Sequence, residues 1–482
     1  MASAGCASHR PPATLASSPA GRQLAQDLSR IFNAPIMAQA QWGVEVRSLD
    51  TGDVLYQLNP RKLMMPASNM KIVTLAAAAE SLGWDYRFTT TLESAAAVVD
   101  GALAGDLVVR GTGDPTINER ENRAAAVFDD WASQLRALGI TRIDGRIIGD
   151  DNAFDDRGLG AGWAWDDLQY GYSAPTGALQ FDEDVATLAV RPGAVEGDLA
   201  SVSITPGSGL TLLNRAYTGA PGSADTIDFV RHLDRPVLEI TGSIAADTAE
   251  LHTNTVAVVN PTVYFAQALK DALEARGIPV AGEATDADDI LDAPPPQNRR
   301  ALVVSSSPPL RDIATVLMKV SQNLYAETLL KAIGAATAGI GTTEGGRIAV
   351  QKLMDSWGLP PSTFVQADGS GLSRYDYVTA EMLVTILARL AKDPRHHDPF
   401  TATLPIAGTD GTLRSRMKRT FAAGNAVAKT GSIANVRTLS GYVRTRGGET
   451  LVFSILANAF TIPASTVTWI ADLAVEVMAN AR

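Results

Sequence analysis

One cysteine and five histidines in 482 residues leave little room for several kinds of chemistry. With Cys6 alone, no disulfide can form within the chain, and zinc sites of the cysteine-rich kind are excluded. His9, His232, His252, His396 and His397 never fall into an H-E-x-x-H or similar ligand spacing, and no G-x-S-x-G elbow occurs. A metallopeptidase helix and a Ser-His-Asp hydrolase are therefore both poor descriptions of this chain. The adjacent pair His396 and His397 lies in a polar stretch, 392–399, and reads as a solvated loop. Long apolar runs are also missing. The run 451–460 is broken by Ser454 and Asn458, and nothing approaches the ~20 apolar residues that a membrane-spanning helix needs. Basic charge is scarce: 41 Lys and Arg stand against 52 Asp and Glu, for a net charge of −11 without a basic block. Nucleic acid is a poor partner for such a chain, because phosphate contacts require Lys and Arg.

What is present describes a folded chain. Hydrophobic residues make up 46% and charged residues 19%, which excludes disorder, collagen and coiled coil. The length suggests roughly three domains. Residues 1–20 are small, polar and Pro-rich, and read as a flexible leader. No positively charged start followed by an apolar stretch is seen, so no intact signal peptide is legible. Ser3-Ala4-Gly5-Cys6 is similar to the tail of a bacterial lipobox, which leaves two readings: an incidental cysteine, or a shortened export signal with a lipid anchor on Cys6.

Along the chain, helical spacing marks 21–33, and alternation about Asp50-Thr51-Gly52-Asp53 marks a hairpin over 42–58. An Ala-rich helix over 69–82 ends at Gly83. From about 86 to 300 the texture is β-rich, with short strands between Gly, Asp and Pro turns and one helix over 264–276; Pro294-Pro295-Pro296 marks its far side. Helices follow over 310–320, 324–334, 343–357 and 380–391, then strands over 426–431, 438–445 and 450–456 and an amphipathic helix over 464–478. The economical fold joins the two ends into one antiparallel sheet with helices on its faces, interrupted by a large β-rich insertion. This is an α+β multidomain fold with a helix–antiparallel sheet–helix core. No internal repeat is seen.

Three short motifs carry chemistry. Ser68-Asn69-Met70-Lys71 is an S-x-x-K at a helix start. There i and i+3 share a face, so the lysine amine can reach the serine hydroxyl, and the helix dipole favours negative charge beside the serine. Serine needs a base to become a nucleophile, and a lysine can be that base if its pKa is lowered. Ser415-Arg416-Met417-Lys418 repeats the spacing in a basic stretch without an apolar helix behind it, and reads as solvated surface. Ser321-Gln322-Asn323 lies between two predicted helices and offers a hydroxyl and a carboxamide. Lys429-Thr430-Gly431 opens a strand and offers a cation, a hydroxyl and a position without a side chain, where substrate can lie along the strand edge. Each is a common accident; all three in this order are not.

Together with Gly113-Asp114-Pro115-Thr116, Tyr172-Ser173-Ala174-Pro175 and Asp368-Gly369-Ser370-Gly371-Leu372-Ser373-Arg374, these motifs make the chain resemble the class C low-molecular-mass penicillin-binding proteins over residues 22–480. These are D-alanyl-D-alanine carboxypeptidases and endopeptidases. The resemblance implies a transpeptidase-like catalytic domain from 21–87 and 298–482, an inserted domain from 88–181 and 257–297, and another from 182–256. It implies an acyl-enzyme on Ser68, Lys71 as general base, Ser321 and Asn323 as proton shuttle and substrate anchor, and Lys429 and Thr430 on the terminal carboxylate. Backbone N–H groups of Ser68 and Ser432 would form the oxyanion hole, with Gly431 beside them. Asp150, Phe154 and Arg374 would shape a pocket for the stem-peptide side chain.

Peptidoglycan stem peptides would be the substrate, β-lactams covalent inhibitors, and the location periplasmic or otherwise extracytoplasmic, with no metal or cofactor. Gln322, where relatives often carry Asp, and Ala434, where they often carry a polar residue, depart from the pattern. A β-lactamase or esterase on the same core would share the motifs. A non-catalytic penicillin-sensing or peptidoglycan-binding protein would have no need of nucleophile and base together. The sequence says nothing of oligomeric state.

Overall fold

The computed structural model describes residues 18–482. Cys6, His9 and most of the expected leader lie outside the described residues. The leader's last residues are structured: Ser18 caps the helix Pro19–Phe32 by accepting from the Gly21 N–H at 3.0 Å.

An N-terminal hairpin and a C-terminal three-stranded meander make one sheet. Its strand order is Val54–Leu58, Gln41–Ser48, Thr450–Asn458, Val436–Arg444, Val427–Ile433, antiparallel throughout. The inner strands are buried on both faces, so their alternation sorts side chains between two cores instead of between core and water. Leu451, Phe453, Ile455 and Ala457 face the terminal helices Pro19–Phe32 and Ala464–Asn480. Val452 and Leu456 face the other core, where the helices Met70–Ser81, Leu310–Lys319, Asn323–Ala338, Thr343–Ser356 and Ala380–Lys392 pack. The helix Met70–Ser81 is buried from Met70 to Ala79. Its alanines allow neighbours to close on every side, as an all-apolar helix requires.

The insertion carries a mixed sheet in the order Ala284–Asp286, Ile147–Asp150, Leu107–Gly111, Thr89–Ser94, Arg300–Ser306. Further small sheets occupy 185–257. Arg300–Ser306 pairs with Thr89–Ser94 at the edge of this sheet, and the chain then returns at Ser307 to the side of Phe88. There the Ser307 N–H donates to the Phe88 carbonyl at 2.9 Å. The insertion also holds a second helix, Arg123–Ala137, packed with Pro261–Ala275 through Phe128, Trp131 and Leu135. Asn122, a usual start residue, precedes it in left-handed backbone and its side chain makes no capping bond. No helix is long and apolar enough to cross a membrane among the described residues.

The pair His396 and His397 corrects the sequence reading. His397 is exposed and starts a short helix, His397–Thr403, but His396 is buried at 4% exposure. Its Nδ1 accepts from the Trp84 Nε1–H at 3.1 Å, and its Nε2 lies 2.9 Å from Glu80 Oε2. This ties the end of the helix Met70–Ser81 to the segment before His397–Thr403, about 18 Å along the helix from Ser68. His396→Ala leaves the Trp84 N–H without its acceptor, while Glu80 keeps Arg395. It should cost about 1–3 kcal/mol in urea denaturation and leave penicillin acylation intact. An unchanged denaturation midpoint would contradict the assignment.

Candidate active site

Ser68 stands in a tight turn, Ala67–Asn69, that leads into the helix Met70–Ser81. Its side chain caps nothing. Instead Ser68 Oγ accepts from Lys71 Nζ at 3.0 Å. The turn is pinned to the sheet from several sides. Met65 exchanges two hydrogen bonds with the Asn458 side chain, the Pro66 carbonyl accepts from Thr438 Oγ1 at 2.8 Å, and Asn69 Nδ2 donates to Ser440 Oγ at 2.6 Å. Ala67, just before the serine, has φ +45°, and Ser321 has φ +65°. Such left-handed backbone in residues other than glycine costs energy and persists only where surrounding contacts fix it.

Lys71 is fully buried, and its Nζ meets three acceptors: Ser68 Oγ, Asn323 Oδ1 at 2.6 Å and the Ser370 carbonyl at 2.8 Å. Burial lowers its pKa to about 8, opposed by the carboxylates of Asp368, Glu327 and Asp376. Lys429, also fully buried, donates to Ser321 Oγ and to the Thr430 carbonyl, both at 2.8 Å. Its pKa is driven well below the ordinary lysine value by burial and by the charge of Lys71. The three motifs thus converge: one lysine on the Ser68 hydroxyl, a second on the Ser321 hydroxyl, and Asn323 against the first.

The cleft has a volume of about 590 Å³ and is lined by Ser68, Ser321, Asn323, Arg374, Thr430 and Ser432 among others. Gly431 lets the edge strand close on the turn, since a Cβ there would come within 2.1 Å of Thr438 Oγ1 and 3.0 Å of the Ser68 nitrogen. Thr430 Oγ1 donates to Thr412 Oγ1 at 2.8 Å. Gln322 turns away from the cleft, capping the helix Asn323–Ala338 with its Oε1 and bonding Glu183 of the insertion with its Nε2. Ser415 and Lys418 are exposed, and Arg416 between them pairs with Asp472.

Arg374 reaches the cleft; Asp150 and Phe154 do not. Asp150 is buried in an ion pair with Arg299. Phe154 is enclosed where Gly113 and Gly341 approach its ring, with Lys331 Nζ 5.7 Å from the ring centroid. Phe154 packs against Gly341 and Lys331 of the helical core, whereas Asp150 ties the strand Ile147–Asp150 to the segment that leads into Arg300–Ser306. The outer cleft is lined instead by Asp166, Asp167 and Arg437, which the sequence reading passed over, and by Tyr172, which entered it only as part of a family motif. It also gave no role to Glu327, which accepts from the N–H groups of Gly369 and Ser370, both at 2.8 Å. Asp368 likewise organises the loop 368–373, accepting from the Gly371 and Ser373 N–H groups at 2.6 and 2.7 Å.

The comparisons with known proteins agree with this geometry. The profile of the D-Ala-D-Ala carboxypeptidase 3 (S13) family matches residues 24–477. The chain is 36% identical over 454 residues to the D-alanyl-D-alanine carboxypeptidase of Actinomadura sp. (strain R39), covering 92% of this chain and 82% of that one. It is 27% identical over 431 residues to D-alanyl-D-alanine carboxypeptidase DacB of Haemophilus influenzae, covering 87% and 85%. The crystal structure of penicillin binding protein 4 from Haemophilus influenzae superposes with a TM-score of 0.79 at 25% identity, covering 93% of this chain and 98% of that one. With its paired lysines about a serine on a helix–sheet–helix core, the chain belongs to the D-Ala-D-Ala carboxypeptidase 3 (S13) family of serine hydrolases.

Proposed function

We propose that Ser68 is the nucleophile of a D-Ala-D-Ala carboxypeptidase and endopeptidase that acts on peptidoglycan stem peptides, with Lys71 as its base. The observation that carries this reading is the fully buried Lys71 Nζ, 3.0 Å from Ser68 Oγ. Once Lys71 has lost its proton, its lone pair takes the Ser68 proton as Oγ attacks the penultimate D-Ala carbonyl. The backbone N–H groups of Ser68 and Ser432 receive the oxyanion. Lys71, now an ammonium, gives that proton back through the Ser321 hydroxyl, which protonates the departing amine and is itself reprotonated, so Lys71 is an amine again. Water then resolves the ester with Lys71 as base again.

Lys429 and Thr430 hold the terminal carboxylate, and Asn323 holds the donor chain. A β-lactam presents both a carbonyl and a carboxylate, and so acylates Ser68. Arg374, with Asp166, Asp167 and Arg437, gives the outer cleft charge of both signs, which suits a stem side chain that ends in an ammonium and a carboxylate. A peptidoglycan substrate places the enzyme outside the cytoplasm. The same reading takes 21–87 with the chain after the insertion as the catalytic unit, and 88–181 with 257–297, and 182–256, as two inserted units.

Two outcomes check this. Labelled penicillin should add once per chain, and peptide mapping should place it on Ser68; an adduct on Ser415 would sink the site. Thr430→Val keeps the strand, since the two side chains share a shape. It should lower kcat/KM for a peptide with a free D-Ala carboxylate about tenfold more than for a thioester without one, the worth of one charge-assisted hydrogen bond. Equal losses would show that Thr430 does not read the carboxylate.

A further inference from the structure

The insertion does more than roof the cleft. Besides Ser68, Lys71 has two acceptors, the Asn323 carboxamide and the Ser370 carbonyl, and each is held from behind by one segment of the insertion. At one end, Trp163 Nε1–H donates to Asp368 Oδ2 at 2.8 Å. The same carboxylate accepts from the Gly371 and Ser373 N–H groups and from Ser370 Oγ, so it sets the loop that presents the Ser370 carbonyl. Two more contacts join that loop to the insertion. Ser373 Oγ donates to the Ala161 carbonyl at 2.6 Å, and Gly162 lies so close to Tyr375 that a Cβ would come within 2.5 Å of the ring. At the other end, Asn323 Nδ2 donates to the Tyr172 carbonyl at 2.8 Å. A carboxamide turned over would aim its NH2 at the Lys71 ammonium, so the Tyr172 carbonyl is what keeps Oδ1 toward the lysine.

Resting on the reading of Lys71 as the base, we propose that residues 161–172 are a positioning strap that fixes both acceptors of Lys71, with Trp163 as the main anchor. The strap belongs to the insertion, so the inserted domain takes part in setting the base of the core. The charged groups that face Lys71 are Asp368 and Asp376 near the loop, Glu327 on the helix Asn323–Ala338 and Lys429 on the edge strand. Loosening the strap lets the Ser370 carbonyl withdraw. The ammonium then loses an acceptor, so its proton leaves at lower pH, while the free amine is aimed less well at Ser68.

The test is the rate of acylation by a fluorescent penicillin from pH 6 to pH 10, on the whole chain, for wild type, Trp163→Phe and Ser373→Ala. Trp163→Phe keeps the aromatic bulk and removes only the N–H. Its limiting rate at high pH should fall about tenfold to a hundredfold, the cost of a small misplacement of reacting groups, and its pH midpoint should shift downward. Ser373→Ala loosens the same end without touching Trp163 and should shift both in the same direction by less; it decides the matter if Trp163→Phe does not fold. A folded variant with the wild-type rate and midpoint overturns the proposal. So does a lower rate with an unmoved midpoint, the mark of a merely structural contact. A wild-type profile with no rise near pH 8 would instead remove the base assignment on which the strap rests.

Discussion

The structure turns on one buried ammonium. Lys71 lies at the junction of the nucleophile helix, the helix Asn323–Ala338 and the loop 368–373, with an acceptor for each of its protons. A charge taken out of water is tolerable only when paired and hydrogen-bonded. Asp368 heads the compensating groups, and Glu327 and Asp376, both raised by burial, add charge only so far as they are ionised. Compensation is incomplete: burial outweighs them and holds the lysine near 8, where it can alternate between ammonium and amine at working pH. Full compensation would leave a permanent cation, and none would leave an amine with nothing to orient it.

The carboxylates carry their own cost, offset by backbone N–H groups. Glu327 spans the Gly369 and Ser370 N–H groups, and burial together with Asp368 pushes its carboxyl up to about 8. These bonds require the loop to lie flat between two helices. Gly371 has φ +83°, and a Cβ there would come within 1.8 Å of the Ala67 carbonyl. A Cβ on Gly369 would likewise come within 2.4 Å of the Ala326 carbonyl oxygen. The glycines of 368–373 thus let the loop touch the backbone of both neighbouring elements, and through that contact the turn bearing Ser68 is held in its left-handed geometry at Ala67.

Much of this was legible in the sequence, for physical reasons. The two-residue period of 436–458 and the helical period of 380–392 follow from packing on the sheet, and period survives in sequence. That the three motifs meet was legible because serine, lysine and asparagine at those spacings have few other uses together. What failed depends on tertiary context. His396 sits in a polar stretch of sequence, yet Trp84 and Glu80, more than 300 residues earlier, bury it and take both its ring nitrogens. Asp150 looks like a free acid until Arg299, far along the chain, neutralises it. Glu327 falls in an amphipathic-looking helix, and nothing local shows that its face is buried against the loop 368–373. Trp163 and Tyr172 belong to a stretch with little periodicity, whose role appears only when the insertion folds back on the core.

The measurement that bears most directly on this account is the pH dependence of acylation in wild type and in Lys71→Arg. A lysine lowered to about 8 predicts a rate that rises with pH through that value and levels off above it, because only the amine takes the Ser68 proton. Lys71→Arg keeps a cation and cannot act as a base, so its acylation should fall by about a hundredfold or more across the whole range. A flat wild-type profile from pH 6 to pH 10, or an arginine variant acylated at the wild-type rate, would contradict it.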